Sequence, residues 1–87
     1  MSRNYAGENA TIRAQNRRAK LVQSGLRCFS TKGLSKTTIK DICSDAELTE
    51  RYFYESFKNK EELLGVVYET LMDELIVSLE DIAKEYQ

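Results

Sequence analysis

The stretch TTIKDICSDAELTERYFYESF, residues 37–57, reads as two short helices joined by a tight turn. Ile39 and Ile42 stand three apart on one face of a helix expected from about Thr38 to Asp45. Thr37 or Thr38 suits its N-cap, because a short hydroxyl there accepts a backbone N–H that the helix leaves unpaired. The pattern breaks at Ala46-Glu47-Leu48. Thr49 then caps a second helix whose buried side is marked by Phe53 and Phe57, four apart. Glu50, Arg51, Tyr52, Tyr54, Glu55 and Ser56 are left to point outward. That surface is rich in hydrogen-bonding groups and carries two aromatics, which a helix that only fills space does not need. Two short helices with a three-residue turn, the second presenting polar groups from its first turn, is the layout of a helix-turn-helix that reads the DNA major groove.

Toward the N-terminus, residues 1–10 are polar, contain Gly7 and two Asn and lack periodicity, which predicts a disordered arm. A helix is expected from near Thr11 to Thr31, with Leu21, Val22, Gly25, Cys28 and Phe29 as its apolar stripe. Glycine inside a helix costs about 1 kcal/mol relative to alanine, so Gly25 points to a close approach by another helix. Gly33, in Lys32-Gly33-Leu34, suits the left-handed residue after the helix end. Toward the C-terminus, Lys58-Asn59-Lys60 makes a turn before a long helix from about Lys60 to Tyr86. Its apolar stripe is read as Leu64, Tyr68, Leu71, Leu75, Leu79, Ile82 and Tyr86, opposite Glu62, Glu69, Asp73, Glu80 and Lys84. Beyond about Met72 the three earlier helices are too short to reach this stripe, at about 1.5 Å of rise per residue. Leu75, Leu79 and Ile82 are therefore expected to form a partner or dimer face. The chain divides into an arm (1–10), a helix-turn-helix unit (11–60) and a long helix (61–87).

At 87 residues the chain is one small domain or part of a larger protein, with a modest core. It has no proline, as suits an all-α chain, and no histidine, which excludes His-based triads, metal sites and proton shuttles. Cys28 and Cys43 do not make a zinc site; both lie in helical segments and read as small buried hydrophobes, a redox pair being the alternative. The opening MSRNYAGENATIR has no apolar run, so neither a signal peptide nor a membrane span is expected, and a reducing cytoplasm is the expected location. The net charge of −1 conceals a split: residues 1–60 hold 12 Lys+Arg and 6 Asp+Glu, whereas residues 61–87 hold 1 and 8. A basic front on an acidic rear suggests a nucleic-acid face joined to a part that stays off the phosphates; segregated ordinary surface charge is the alternative. With no Gly-rich phosphate loop, no metal-ligand spacing and no carboxylate pair in a discernible pocket, neither an enzyme nor a cofactor is expected.

Leu21-Val22, Ser24-Gly25, Phe29 and Gly33, then Thr37-Thr38-Ile39, Ile42, Ala46 and Leu48, lead to Thr49, Phe53-Tyr54, Phe57 and Lys60-Glu61-Glu62-Leu63-Leu64. On these residues the chain resembles the N-terminal DNA-binding domain of the TetR (tetracycline-repressor-like, AcrR-like) transcriptional regulators. The resemblance covers roughly Arg17 to Leu64, and YFYESFKNKEELL is its most specific part. It implies an all-α, homeodomain-like three-helix unit with a long fourth helix leading to a helical ligand-binding and dimerising domain outside this sequence. It further implies a ligand-responsive repressor that binds double-stranded DNA at a pseudo-palindromic operator as a homodimer, and is released when a small-molecule effector binds the second domain. Three positions depart from the family pattern: Cys43 stands where Ala is usual, Glu47 where Gly is usual and Ser56 where His is usual. A left-handed Glu47 would cost up to about 1–2 kcal/mol, a slightly different turn being the alternative.

Base reading is expected of the first turn of the second short helix. Arg51 has a fork that matches guanine O6 and N7, Glu50 could accept from cytosine N4, and Tyr52 could pack on a thymine methyl or the sugar backbone, with Thr49 beside them. A surface pair with Glu47 or Glu55 is the alternative for Arg51, and simple solvation for Glu50. Phosphate contacts are expected of Lys36, Thr37, Thr38, Tyr54, Ser56, Lys58 and Lys60, and of Arg17 and Arg18 from the first helix. Tyr54 could instead be half-buried structure, and the arginines a solvated face. A helical protein–protein interaction module, docking through the apolar stripe of the last helix, is the competing functional reading.

Overall fold

The computed structural model describes the backbone of residues 2–86 and the side chains of residues 9–86. It is all-α, with four helices and no strand among the described residues: α1 Ser2–Lys32, α2 Ile39–Ala46, α3 Glu50–Ser56 and α4 Lys60–Glu85. Asn9 and Ala10 already belong to α1, ahead of the expected start near Thr11, since neither interrupts a helix as proline would. The rest of the expected disordered arm, residues 1–8, lies outside the fully described residues.

The core forms where the four helices meet. Leu21 of α1, Ile42, Cys43 and Ala46 of α2, Phe53 of α3, Phe57, and Leu63 and Val67 of α4 are buried together. Val22, Leu26, Cys28, Phe29, Ile39, Leu48 and Val66 pack around them. Both cysteines are free thiols, and desolvation raises the pKa of each, as for small core hydrophobes. Gly25 is buried where α1 packs closely on α4. A Cβ built there would lie 2.9 Å from Leu63 Cδ2 and 3.4 Å from Val67 Cγ2, so any larger residue requires the Leu63 side chain to shift.

That contact corrects the phase of α4. The face that packs is Leu63, Val66, Val67 and Thr70, not the stripe through Leu64 and Tyr68; Tyr68 is largely exposed. Both faces are apolar at helical spacing, and the notch at Gly25 selects between them. Farther along, Leu75, Leu79 and Ile82 are 49%, 55% and 51% exposed, so the described chain leaves the expected partner face uncovered.

Each helix end has a local cause. Gly33, at φ +83°, donates its N–H to Phe29 O and closes α1 in a left-handed cap. Thr38 caps α2 in a reciprocal box: its hydroxyl accepts from Asp41 N at 3.0 Å, and the Asp41 carboxylate accepts from Thr38 N at 3.0 Å. Lys32 adds an ion pair to the same carboxylate, and these bonds, led by that from the Thr38 backbone, lower the Asp41 pKa to about 2. At the turn, Glu47 takes φ 59° and ψ 41°. Its N–H donates to Ser44 O while Leu48 N–H donates to Cys43 O, so a glutamate occupies the position glycine usually holds in this C-terminal motif. Asn59 caps α4 by accepting from Glu62 N at 2.8 Å.

Candidate nucleic-acid interface

α3 is seven residues long and buries Phe53, with Phe57 buried just past its end. The two rings lie 5.6 Å apart and point the helix into the core by a single edge. Its first turn therefore faces out. Thr49, Glu50 and Arg51 are exposed, and Tyr52 is half-buried. Thr49 is the N-cap by backbone geometry, yet its hydroxyl makes no capping bond and is available to a ligand. Arg51 forms no ion pair among the described residues; its guanidinium lies 6.0 Å from the Tyr52 ring. No close ion pair with Glu47 or Glu55 is made, although the Arg51 charge contributes to holding the Glu55 carboxyl low. All four base-reading candidates come together on one turn.

The phosphate candidates divide. Lys36, Tyr54 and Lys58 are exposed, with the Tyr54 ring set edge-on to Phe53 at 5.4 Å. Thr38 is exposed although its hydroxyl serves the α2 cap, and Ser56 is half-buried. Thr37 is fully buried: its hydroxyl donates to Gly33 O at 2.7 Å and is also bonded to Cys28 O, which leaves nothing for a phosphate. The Lys60 ammonium donates to Leu34 O at 2.7 Å and Thr37 O at 2.8 Å, tying the start of α4 to the α1–α2 loop. Both residues hold the fold together where the sequence suggested DNA contacts.

Arg17 and Arg18 are turned onto α3. Arg17 makes a forked ion pair with Glu55, Nε to Oε1 at 3.0 Å and Nη2 to Oε2 at 2.9 Å, and stacks over Tyr52 at 4.3 Å. The Arg17 hydrogen bonds hold the Glu55 carboxyl below its usual pKa. Arg18 covers the Phe57 ring at 4.7 Å and donates to Ser56 O at 3.4 Å. Sequence reading missed these pairings because the partners lie 38 residues apart. It also missed Arg27 Nη2 to Asp45 Oδ2, 2.6 Å, which ties α1 to the end of α2. Arginines on the α1 face nearest an aromatic helix were the signal present, without the register.

Two short helices across a three-residue turn, braced by α1 and with the second helix's first turn open to solvent, define a helix-turn-helix protein. The family model for bacterial regulatory proteins of the tetR family matches residues 21–67, and the chain belongs to that family. It is 34% identical over 58 residues to the HTH-type transcriptional regulator TtgR of Pseudomonas putida, covering 67% of this chain and 28% of that protein. It is 33% identical, with the same coverage, to the HTH-type transcriptional repressor KstR2 of Mycolicibacterium smegmatis. A third relative, the uncharacterized regulator YerO of Bacillus subtilis, is 35% identical over 48 residues, 55% of this chain and 17% of that protein. The chain thus spans under a third of the length of these relatives. No solved structure gives a significant match. No helix among the described residues is long and apolar enough to cross a membrane.

Proposed function

We propose that this chain is the DNA-reading part of a ligand-responsive repressor, with α3 laid in the major groove. The observation that carries the reading is the first turn of α3, where Thr49, Glu50 and Arg51 are exposed together and Arg51 has no carboxylate partner among the described residues. Arg51 reads guanine through its fork, Glu50 and Thr49 face neighbouring bases, and Tyr52 borders them. Lys36, Thr38, Tyr54, Ser56 and Lys58 flank the turn and hold phosphates. In the whole protein two copies bind a pseudo-palindromic operator in the cytoplasm, and the exposed Leu75, Leu79 and Ile82 lie against a further helical domain that dimerises and takes a small-molecule effector. The name of the repressor relative supports the direction of control. The protein acts by binding, not by catalysis; a protein-docking module leaves the polar first turn of α3 without a use.

Binding to mixed genomic fragments at two salt concentrations, with sequencing of what is retained, tests the reading. Enrichment of an inverted repeat with steeply salt-dependent affinity is expected; no retention at low salt would refute it.

A further inference from the structure

We infer that Arg17 and Arg18 form a clasp from α1 that sets the rotation of the reading helix, with Arg17 a positioning residue for Arg51 and not a phosphate contact. The inference rests on the DNA reading above and concerns the same site. A seven-residue helix is not stable by itself and takes its orientation from what it packs on. Phe53, with Phe57 beyond the end, fixes one edge of α3 in the core, and Leu48 of the preceding turn packs beside them. The clasp adds a restraint on the outer side of the helix. Arg17 grips Tyr52 and Glu55, three apart and so on one side of the helix, by stacking at 4.3 Å and by a two-pronged ion pair. Arg18 holds the helix end through Phe57 and Ser56 O. Arg51 adjoins Tyr52 in the chain and shares its ring at 6.0 Å, so a rotation that displaces Tyr52 displaces the guanidinium as well. Glu55 is held in the forked pair by Arg17, which leaves the Arg51 guanidinium outside any ion pair among the described residues.

The test measures wild type, Arg17→Met and Arg17→Lys on the selected operator and on a scrambled duplex, across a salt series, with thermal unfolding alongside. A positioning role predicts that Arg17→Met lowers operator-over-scrambled discrimination by about tenfold, the order of one forked base contact. The salt slope should stay at the wild-type value. Arg17→Lys should lose discrimination too, since an ammonium has neither the fork for Glu55 nor the plane for Tyr52. A salt slope shallower by nearly one unit in Arg17→Met, restored by Arg17→Lys with discrimination intact throughout, would overturn the inference in favour of a phosphate contact. Unchanged discrimination with a lowered unfolding temperature would overturn it as well, leaving a purely structural pair. If Arg17→Met does not fold, Arg17→Lys decides on the same readouts. Absence of DNA binding by the wild type would sink the underlying DNA reading, whereas a defect confined to the variants bears on the clasp alone.

Discussion

Gly25 and Gly65 both lie within helices, yet a methyl group added at each meets opposite surroundings. Nothing lies within 4 Å of a Cβ at Gly65, so Gly65→Ala should stabilise the chain by about 1 kcal/mol through helix propensity alone. At Gly25 the same methyl would press on the buried Leu63 side chain at 2.9 Å, and Gly25→Ala should destabilise by about 1 kcal/mol despite the better propensity. Urea unfolding of both variants checks the pair; equal effects would show that the α1–α4 contact is looser than described. The close approach at Gly25 was legible in the sequence because glycine in an apolar stripe needs a reason. Lys60 was not. Its place at the start of a long helix, beside unpaired backbone donors, suggested a phosphate, and only the folded loop brings Leu34 O and Thr37 O to its ammonium. Lys60→Met should therefore cost about 1–3 kcal/mol of stability, by stranding carbonyls, while leaving the salt slope of DNA binding unchanged.

At the scale of the elements, the ends of α2 carry the consequences. Thr38→Ala removes half of the capping box and should cost about 1 kcal/mol in denaturant unfolding. The Asp41 carboxylate, at about 2 against an ordinary 3.8, favours the ionised form in the fold. The unfolded chain binds that proton first as pH falls, so the contribution is complete above about pH 4 and is lost on the way down to about pH 2. Glu55 and Asp45, also held low by arginine partners, act in the same direction. Unfolding midpoints should thus fall through this acid range, and Asp41→Asn should flatten the decline. The helix boundaries from the end of α1 onward were legible because capping is a local matter of hydroxyls, glycines and their neighbours, whereas the start of α1, which no such residue marks, was set too late. The phase of α4 was not, since two apolar faces compete in its sequence and the partner surface on α1 chooses one.

Across the whole molecule, tertiary contact stops partway along α4. Residues 71–86 are all exposed, while the same helix buries Leu63 and Val67 near its start. In this 87-residue chain, amide hydrogen exchange should be slow over residues 63–70 and fast beyond Met72, where helix propensity has no packing to reinforce it. Uniform protection along α4 would mean that a second molecule covers the distal face. The sequence by itself determined the all-α class, the order of the four helices, the left-handed turn at Gly33, and the outward-facing Thr49, Glu50 and Arg51 at the start of α3. Each of these depends on neighbours within about one helical turn or on apolar spacing, which the linear chain displays. The tertiary structure alone decided which arginines are engaged, which lysine is enclosed and which face of α4 is buried. Those outcomes depend on residues 18 to 38 positions apart being brought within about 3 Å, and no local pattern encodes that register.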